Sequence, residues 1–169
     1  VVARVARSTG NALDEASRKL DQASATQRES EEQYRQLFES ASDALFLIDT
    51  DTGLVIDANL IASELYGYDR DELLTKKSTD LSAEPEETQR RTHEVQTTPD
   101  QVVNIPLRLH RKKDGTVFPV EITARSLSVK GRPRLFVAAR DITERKRAEE
   151  ALRESEYRWK FAIEGSGDG

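Results

Sequence analysis

The chain holds two histidines and no cysteine, which narrows the chemistry open to it. Without cysteine there are no disulfides, thiolate metal ligands or cysteinyl adducts. His93 and His110 stand at no spacing that supplies a metal with a second ligand, and neither partners a nucleophile. No Gly-rich phosphate loop with its lysine is present. Paired carboxylates such as Glu86 and Glu87 fall on a polar helix, where solvation explains them. No catalytic set and no metal site are therefore expected. The net charge of -5 opposes nucleic acid as a main partner. A basic cluster at Arg108, Arg111, Lys112 and Lys113 reads as a solvated hairpin tip.

Charged residues make up 34% of the chain and hydrophobic ones 36%, lean for a fully globular protein. The deficit sits in the first forty residues and the last twenty-five. That distribution predicts one compact domain between two polar helices. Residues 11 to 38 form a long predicted helix, with Leu13, Ala16, Leu20, Ala23, Gln27, Ser30, Tyr34 and Leu37 at alternating spacings of three and four. This is an a/d seam built mostly from small and polar residues, suited to a connector whose packing shifts. A solvated surface helix is the plainer alternative. A second thin seam, Ala148, Leu152, Ser155, Trp159 and Ala162, follows Thr143.

Between the helices the pattern becomes that of short strands. Leu45–Ile48 and Leu54–Ile56 flank the turn Asp51-Thr52-Gly53. Asn59 stands as the N-cap of a helix through Leu60, Ile61, Leu65 and Tyr66, with Gly67 as its left-handed cap. Asp69 and Glu72 have the spacing of a capping box. Pro85 opens a longer helix to about Thr97, whose least polar face carries Thr88, Thr92 and Val95. At about 100° per residue His93 lies off that face and is expected at the surface. Ile105, Leu107 and Leu109 alternate with Pro106, Arg108 and His110, which directs His110 outward. Asp114-Gly115 marks a hairpin turn, Val120 and Ile122 alternate with polar neighbours, and Leu135–Ala139 reads as a central strand. Pro106 belongs on an edge strand, since proline cannot donate to a ladder.

Arg28-Glu29-Ser30-Glu31 with Tyr34-Arg35 returns as Arg153-Glu154-Ser155-Glu156 with Tyr157-Arg158. A tandem array explains this repeat, with residues 165–169 opening a second, truncated unit. The start at Val1 and the Gly165–Gly169 string read as cuts from a longer polypeptide, so output activity is expected elsewhere. No apolar run reaches the length of a membrane span and no signal peptide is visible. A soluble, cytoplasmic segment is expected, with any membrane anchor lying elsewhere in the parent.

Strand pair, short helices, longer helix and a three-strand run describe an α+β domain. Its residues resemble the PAS family. The resemblance rests on Tyr34-Arg35-Gln36-Leu37-Phe38-Glu39 with Asp43-Ala44-Leu45-Phe46, on Gly53, Val55 and Asn59, and on Gly67-Tyr68 with Glu72-Leu73. It continues through Asp114-Gly115-Thr116 with Phe118-Pro119-Val120 and ends on Asp141-Ile142-Thr143-Glu144-Arg145-Lys146. It covers roughly residues 30 to 147. It implies a PAS-like five-stranded antiparallel sheet of order 2-1-5-4-3, with short helices on one face and signalling helices at both ends. The expected divisions are a helical, coiled-coil linker over 1–38, in which residues 1 to 12, with Val5 and Ala6, could be the tail of a preceding sensory domain, the domain itself over 39–143, and an exit helix over 144–164.

The family implies a pocket between sheet and helices. Phe46, Ile48, Leu107, Leu109, Val120, Ile122 and Val137 are its candidate lining, or else plain core; both remain open. Haem in this family takes a histidine on the longer helix, and the orientation of His93 speaks against it. The flavin photoreceptor branch needs a cysteine that is lacking here. No cofactor is expected, and an unknown small ligand is allowed. Asp141, Ile142, Thr143 and Glu144 are the candidate signal-coupling residues, with Asp141 and Glu144 spaced as a capping box. The resemblance implies a non-enzymatic sensor and relay in a bacterial sensor histidine kinase or a diguanylate cyclase or phosphodiesterase. Its partners would be a second copy through the flanking helices and neighbouring PAS and output domains. A ligand-free dimerisation spacer is the alternative, and an enzyme activity ranks behind both.

Overall fold

The computed structural model describes residues 2–98, 101–129 and 131–164, with side chains from residue 11 onward. The chain divides into two units, residues 1–40 and 41–169. The first is a single helix, α1 (Val2–Ser40). It starts upstream of residue 11; Gly10 does not end it, because one glycine costs a long helix only about 1 kcal/mol. Leu13, Leu20 and Leu37 on its seam are exposed. Tyr34 and Phe38 stack at 5.3 Å, one turn apart.

The second unit is built on strands β1 (Ala44–Asp49), β2 (Val55–Ala58), β3 (Val102–Arg111), β4 (Val117–Val129) and β5 (Arg132–Asp141). They form one antiparallel sheet of order β2-β1-β5-β4-β3. The Leu135–Ala139 run lies at its centre, and β3 with Pro106 lies at an edge. Helices α2 (Leu60–Tyr66), α3 (Arg70–Leu73) and α4 (Pro85–Thr97), with a 3-10 turn at Ser78–Leu81, follow β2. Helix α5 (Thr143–Glu164) leaves the end of β5.

The core joins one face of the sheet to these helices. Phe46, Ile48, Val120, Ile122 and Val137 meet Tyr66, Leu73, Leu81 and Val95 there. Local chemistry sets the helices in place. The Asn59 side-chain oxygen accepts from the amides of Ala62 at 3.0 Å and Leu45 at 2.9 Å, so one residue caps α2 and ties it to β1. Gly67 ends α2 at φ 75°, a conformation glycine adopts without strain. Asp69 and Glu72 form the expected capping box.

Strand β3 departs from simple alternation. Ile105 pairs with Ile122 and Arg108 with Val120, so three steps on β3 match two on β4. This is a β-bulge with one extra residue at Pro106-Leu107, a place where a missing N–H is tolerated. Beyond it the faces invert. Arg108 and His110 turn toward the core face, opposite Val120 and Phe118, while Leu107 and Leu109 are 46% and 39% exposed. Leu107 and Leu109 therefore do not line the interior, and His110 does not point outward. Both expectations assumed an unbroken period of two.

Candidate ligand pocket and exit junction

A cavity of about 70 Å³ lies between the sheet and α4. Phe46, Ile48, Ile122 and Val137 line it, as the sequence suggested. Val120 is fully buried core beside it, outside the lining. Thr88, Thr92 and Val95 close it from α4, the face that the helical period picked out, while His93 is exposed. Sequence reasoning missed Tyr66, Ile105, Arg108 and His110. Pro106 was the one signal for the last two, since proline within a strand marks an edge or a bulge.

The polar side of the cavity is built by the inverted stretch of β3. The guanidinium of Arg108, 7% exposed, donates to the Glu84 carbonyl at 3.2 Å and the Thr88 hydroxyl at 3.1 Å. Its other terminal nitrogen lies 3.4 Å from the Glu84 carboxylate and 3.7 Å from that of Glu87. Arg108 thus joins β3 to the start of α4 with its charge compensated, as a buried cation requires. The Thr88 hydroxyl passes the contact on to the Ser82 hydroxyl at 2.8 Å. Arg91 is matched in turn by Glu87 at 3.0 Å and Glu94 at 2.9 Å.

Tyr66, wholly buried, places its hydroxyl 2.6 Å from His110 Nδ1. Its ring meets Phe46 and Phe118 edge to face, each at 5.4 Å, a favoured aromatic geometry. Desolvation, aided by the positive charge of Arg108, pulls His110 down to about 4, so its ring is neutral near pH 7. Burial and the Asp141 carboxylate both oppose ionisation of Tyr66, which stays a phenol.

The basic cluster is dispersed rather than solvated as one tip. Arg108 turns inward. Lys113 bonds the Glu72 carboxylate at 2.7 and 2.8 Å, and Lys112 lies 4.9 Å from the centre of the Phe118 ring. The Lys113 amide also donates to the Tyr66 carbonyl at 2.9 Å, docking the β3–β4 hairpin on the end of α2.

At the exit, the Ile142 amide donates to the Pro119 carbonyl at 3.1 Å and its side chain is buried. Asp141 accepts from both the amide and the hydroxyl of Thr143, at 2.8 and 2.6 Å. The expected capping box with Glu144 does not form: Glu144 is exposed and pairs with Arg147 at 2.9 Å. Asp141 reaches its second neighbour instead, a tight local turn that short acidic side chains favour. Arg145 ties the first turn of α5 back to Glu121 on β4 at 3.2 Å. Among the described residues no helix is long and apolar enough to cross a membrane, and no three acidic or histidine side chains gather to hold a metal.

The model of the PAS domain family matches residues 42–144. A methyl sulfide methyltransferase-associated sensor of Methanosarcina acetivorans is 32% identical over 133 residues, 78% of this chain and 13% of that protein. Diguanylate cyclase DgcM of Escherichia coli is 30% identical over 128 residues, 75% of this chain and 31% of that protein. The chain thus spans less than a third of the length of either relative. The crystal structure of the PAS domain of an HTR-like protein from Haloarcula marismortui has a TM-score of 0.63 at 22% identity, covering 72% of this chain and 99% of that one. With its sheet order, its covering helices and a family match over most of the second unit, this chain belongs to the PAS domain family of sensory signalling modules.

Proposed function

We propose that this domain is a sensor and relay whose cavity takes a small ligand and whose exit helix carries the response to an output domain. One observation carries the reading: about 70 Å³ of space against the sheet, with apolar walls and a polar corner at His110. A spacer that senses nothing has no need of such a space in its core. Occupancy would bear on β4 and β5, which line the cavity and converge on the Asp141–Thr143 junction. A ligand preferring one packing of α5 over another shifts the balance between the two.

By family resemblance the parent is a bacterial sensor histidine kinase or a diguanylate cyclase or phosphodiesterase. Its catalysis lies outside this segment, which acts in the cytoplasm. Residues 1–38 and 144–164 serve as linkers, and a second copy pairs through their seams. The repeat after Arg153 supports a following PAS unit; its residues 165–169 lie outside the described part of the chain. Native mass spectrometry of the purified chain tests the sensory reading. A retained small molecule supports it. An empty chain that no small molecule stabilises against heat favours the spacer.

A further inference from the structure

The hydrogen bond between Tyr66 and His110 fixes what the cavity can recognise. Tyr66 is wholly buried and its hydroxyl meets no protein group other than His110 Nδ1 among the described residues. A phenol has one proton to give. Were Nδ1 the donor, that proton would be stranded in the core, at a cost of about 1–3 kcal/mol. The hydroxyl therefore donates to Nδ1, and the neutral imidazole carries its own proton on Nε2. Among the described residues Nε2 meets no protein acceptor, and no buried polar side-chain atom is left sealed without a partner. Nε2–H is thus a donor left open on a ring that lines the cavity.

The other charges at the cavity are already answered. Arg108 and Arg91 face three carboxylates, from Glu84, Glu87 and Glu94. An entering anion would find no unpaired cation, since His110 is neutral. The remaining walls are mainly apolar, among them Phe46, Ile48 and Val137, with the hydroxyl-bearing Ser78, Thr88 and Thr92 on one side. The volume of about 70 Å³ is near half of the roughly 150 Å³ known to admit benzene.

We propose that the ligand is a neutral molecule smaller than benzene, with one oxygen acceptor on a short apolar body, its oxygen bonded to His110 Nε2–H. The proposal rests on the sensory reading and names its ligand class. Carboxylates of the same size are disfavoured.

Acetone, acetate and isobutene share one trigonal outline and differ in the feature at issue. Each is titrated into the full isotope-labelled chain while the His110 Nε2–H resonance and the methyl signals of Ile48 and Val137 are followed. Acetone is expected to saturate these signals with a dissociation constant about tenfold below that of the other two, the value of one good hydrogen bond. His110→Phe should abolish the preference while isobutene still binds, and His110→Gln, which returns an N–H, should restore part of it. Equal binding of all three, or preference for acetate or isobutene, overturns the ligand class and leaves the sensory reading intact. Entry by none of them also overturns the class, and retention of some other molecule in the mass spectrum then decides the sensory reading separately.

Discussion

Tyr66 and His110 stand 2.6 Å apart, hydroxyl to Nδ1, at the corner where α2, β3 and the cavity meet. They are far apart in sequence and are joined because a bulge turns β3 over. The bond satisfies the one polar atom of a wholly buried tyrosine, and it occupies the nitrogen that protonation of His110 would claim.

That arrangement makes stability depend on acid. His110 is lowered in the fold from 6.5 to about 4, so between these values the unfolded chain binds a proton that the folded chain refuses. Stability is then full above pH 6.5 and falls as the pH drops toward 4, by on the order of 3 kcal/mol. Asp49, lowered from 3.8 by bonds from Thr52 and by Arg134, adds its loss only below that window. Urea midpoints measured from pH 7.5 to 4 should fall in the wild type and stay nearly level in His110→Gln, which can still accept from Tyr66. Equal slopes in both proteins would remove His110 as the cause.

The exit junction gives a second expectation. Asp141 holds Thr143 by two hydrogen bonds, while buried Ile142 anchors the junction to β4. Removing the polar bonds through Asp141→Ala with Thr143→Ala should cost about 1 kcal/mol, too little to unfold the domain. In the full-length parent the same change should lock or uncouple output. A parent carrying it that responds to stimulus as the wild type does takes the relay role away from these residues.

The succession of elements was readable because their boundaries are marked by residues with one conformational use, Asp51-Thr52-Gly53, Gly67 and Asp114-Gly115, while the order of strands in the sheet came from the family resemblance. Asn59 and the Asp69–Glu72 pair were readable for the same reason, since capping is local chemistry. The lining on β3 was not. Leu107 and Leu109 fit an alternating pattern, Pro106 is equally at home on an edge strand or at a bulge, and the extra residue that inverts the pattern is fixed by the pairing of Ile105 with Ile122 and Arg108 with Val120. Nor could Phe46 or Val137 reveal whether a space lies between them, because periodicity reports which face is buried and not how fully it is packed. The Asp141–Glu144 spacing misled for a further reason: Arg147 offers Glu144 a partner on the helix surface.

Assembly is tested by shortening α1. Leu13, Leu20 and Leu37 are 71%, 71% and 74% exposed in the single chain, and burying them against a second copy is the proposed use of the seam. Ala16, Ala23, Gln27 and Ser30 between them limit the gain. Removing residues 1–27 should raise the dimer dissociation constant by at least tenfold in analytical ultracentrifugation. An unchanged constant would move the interface to the domain itself.

The bulge gives the most direct check on the site. Under plain alternation Ile105, Leu107 and Leu109 would all face the core, and lysine at any of them would be ruinous. With the extra residue at Pro106-Leu107, only Ile105 packs on the core, while Leu107 and Leu109 lie on the other face. Lysine at an exposed strand position changes stability by about 0.5 kcal/mol or less. An ammonium forced into the apolar interior costs several times that, because nothing there replaces its water. Leu107→Lys and Leu109→Lys should therefore unfold near the wild-type urea concentration, and Ile105→Lys well below it. Because Leu109 sits next to His110, its variant should also keep the Nε2–H resonance where the wild type has it. Equal damage from all three substitutions would restore the regular strand, turn His110 away from the cavity, and remove the donor on which the ligand class depends.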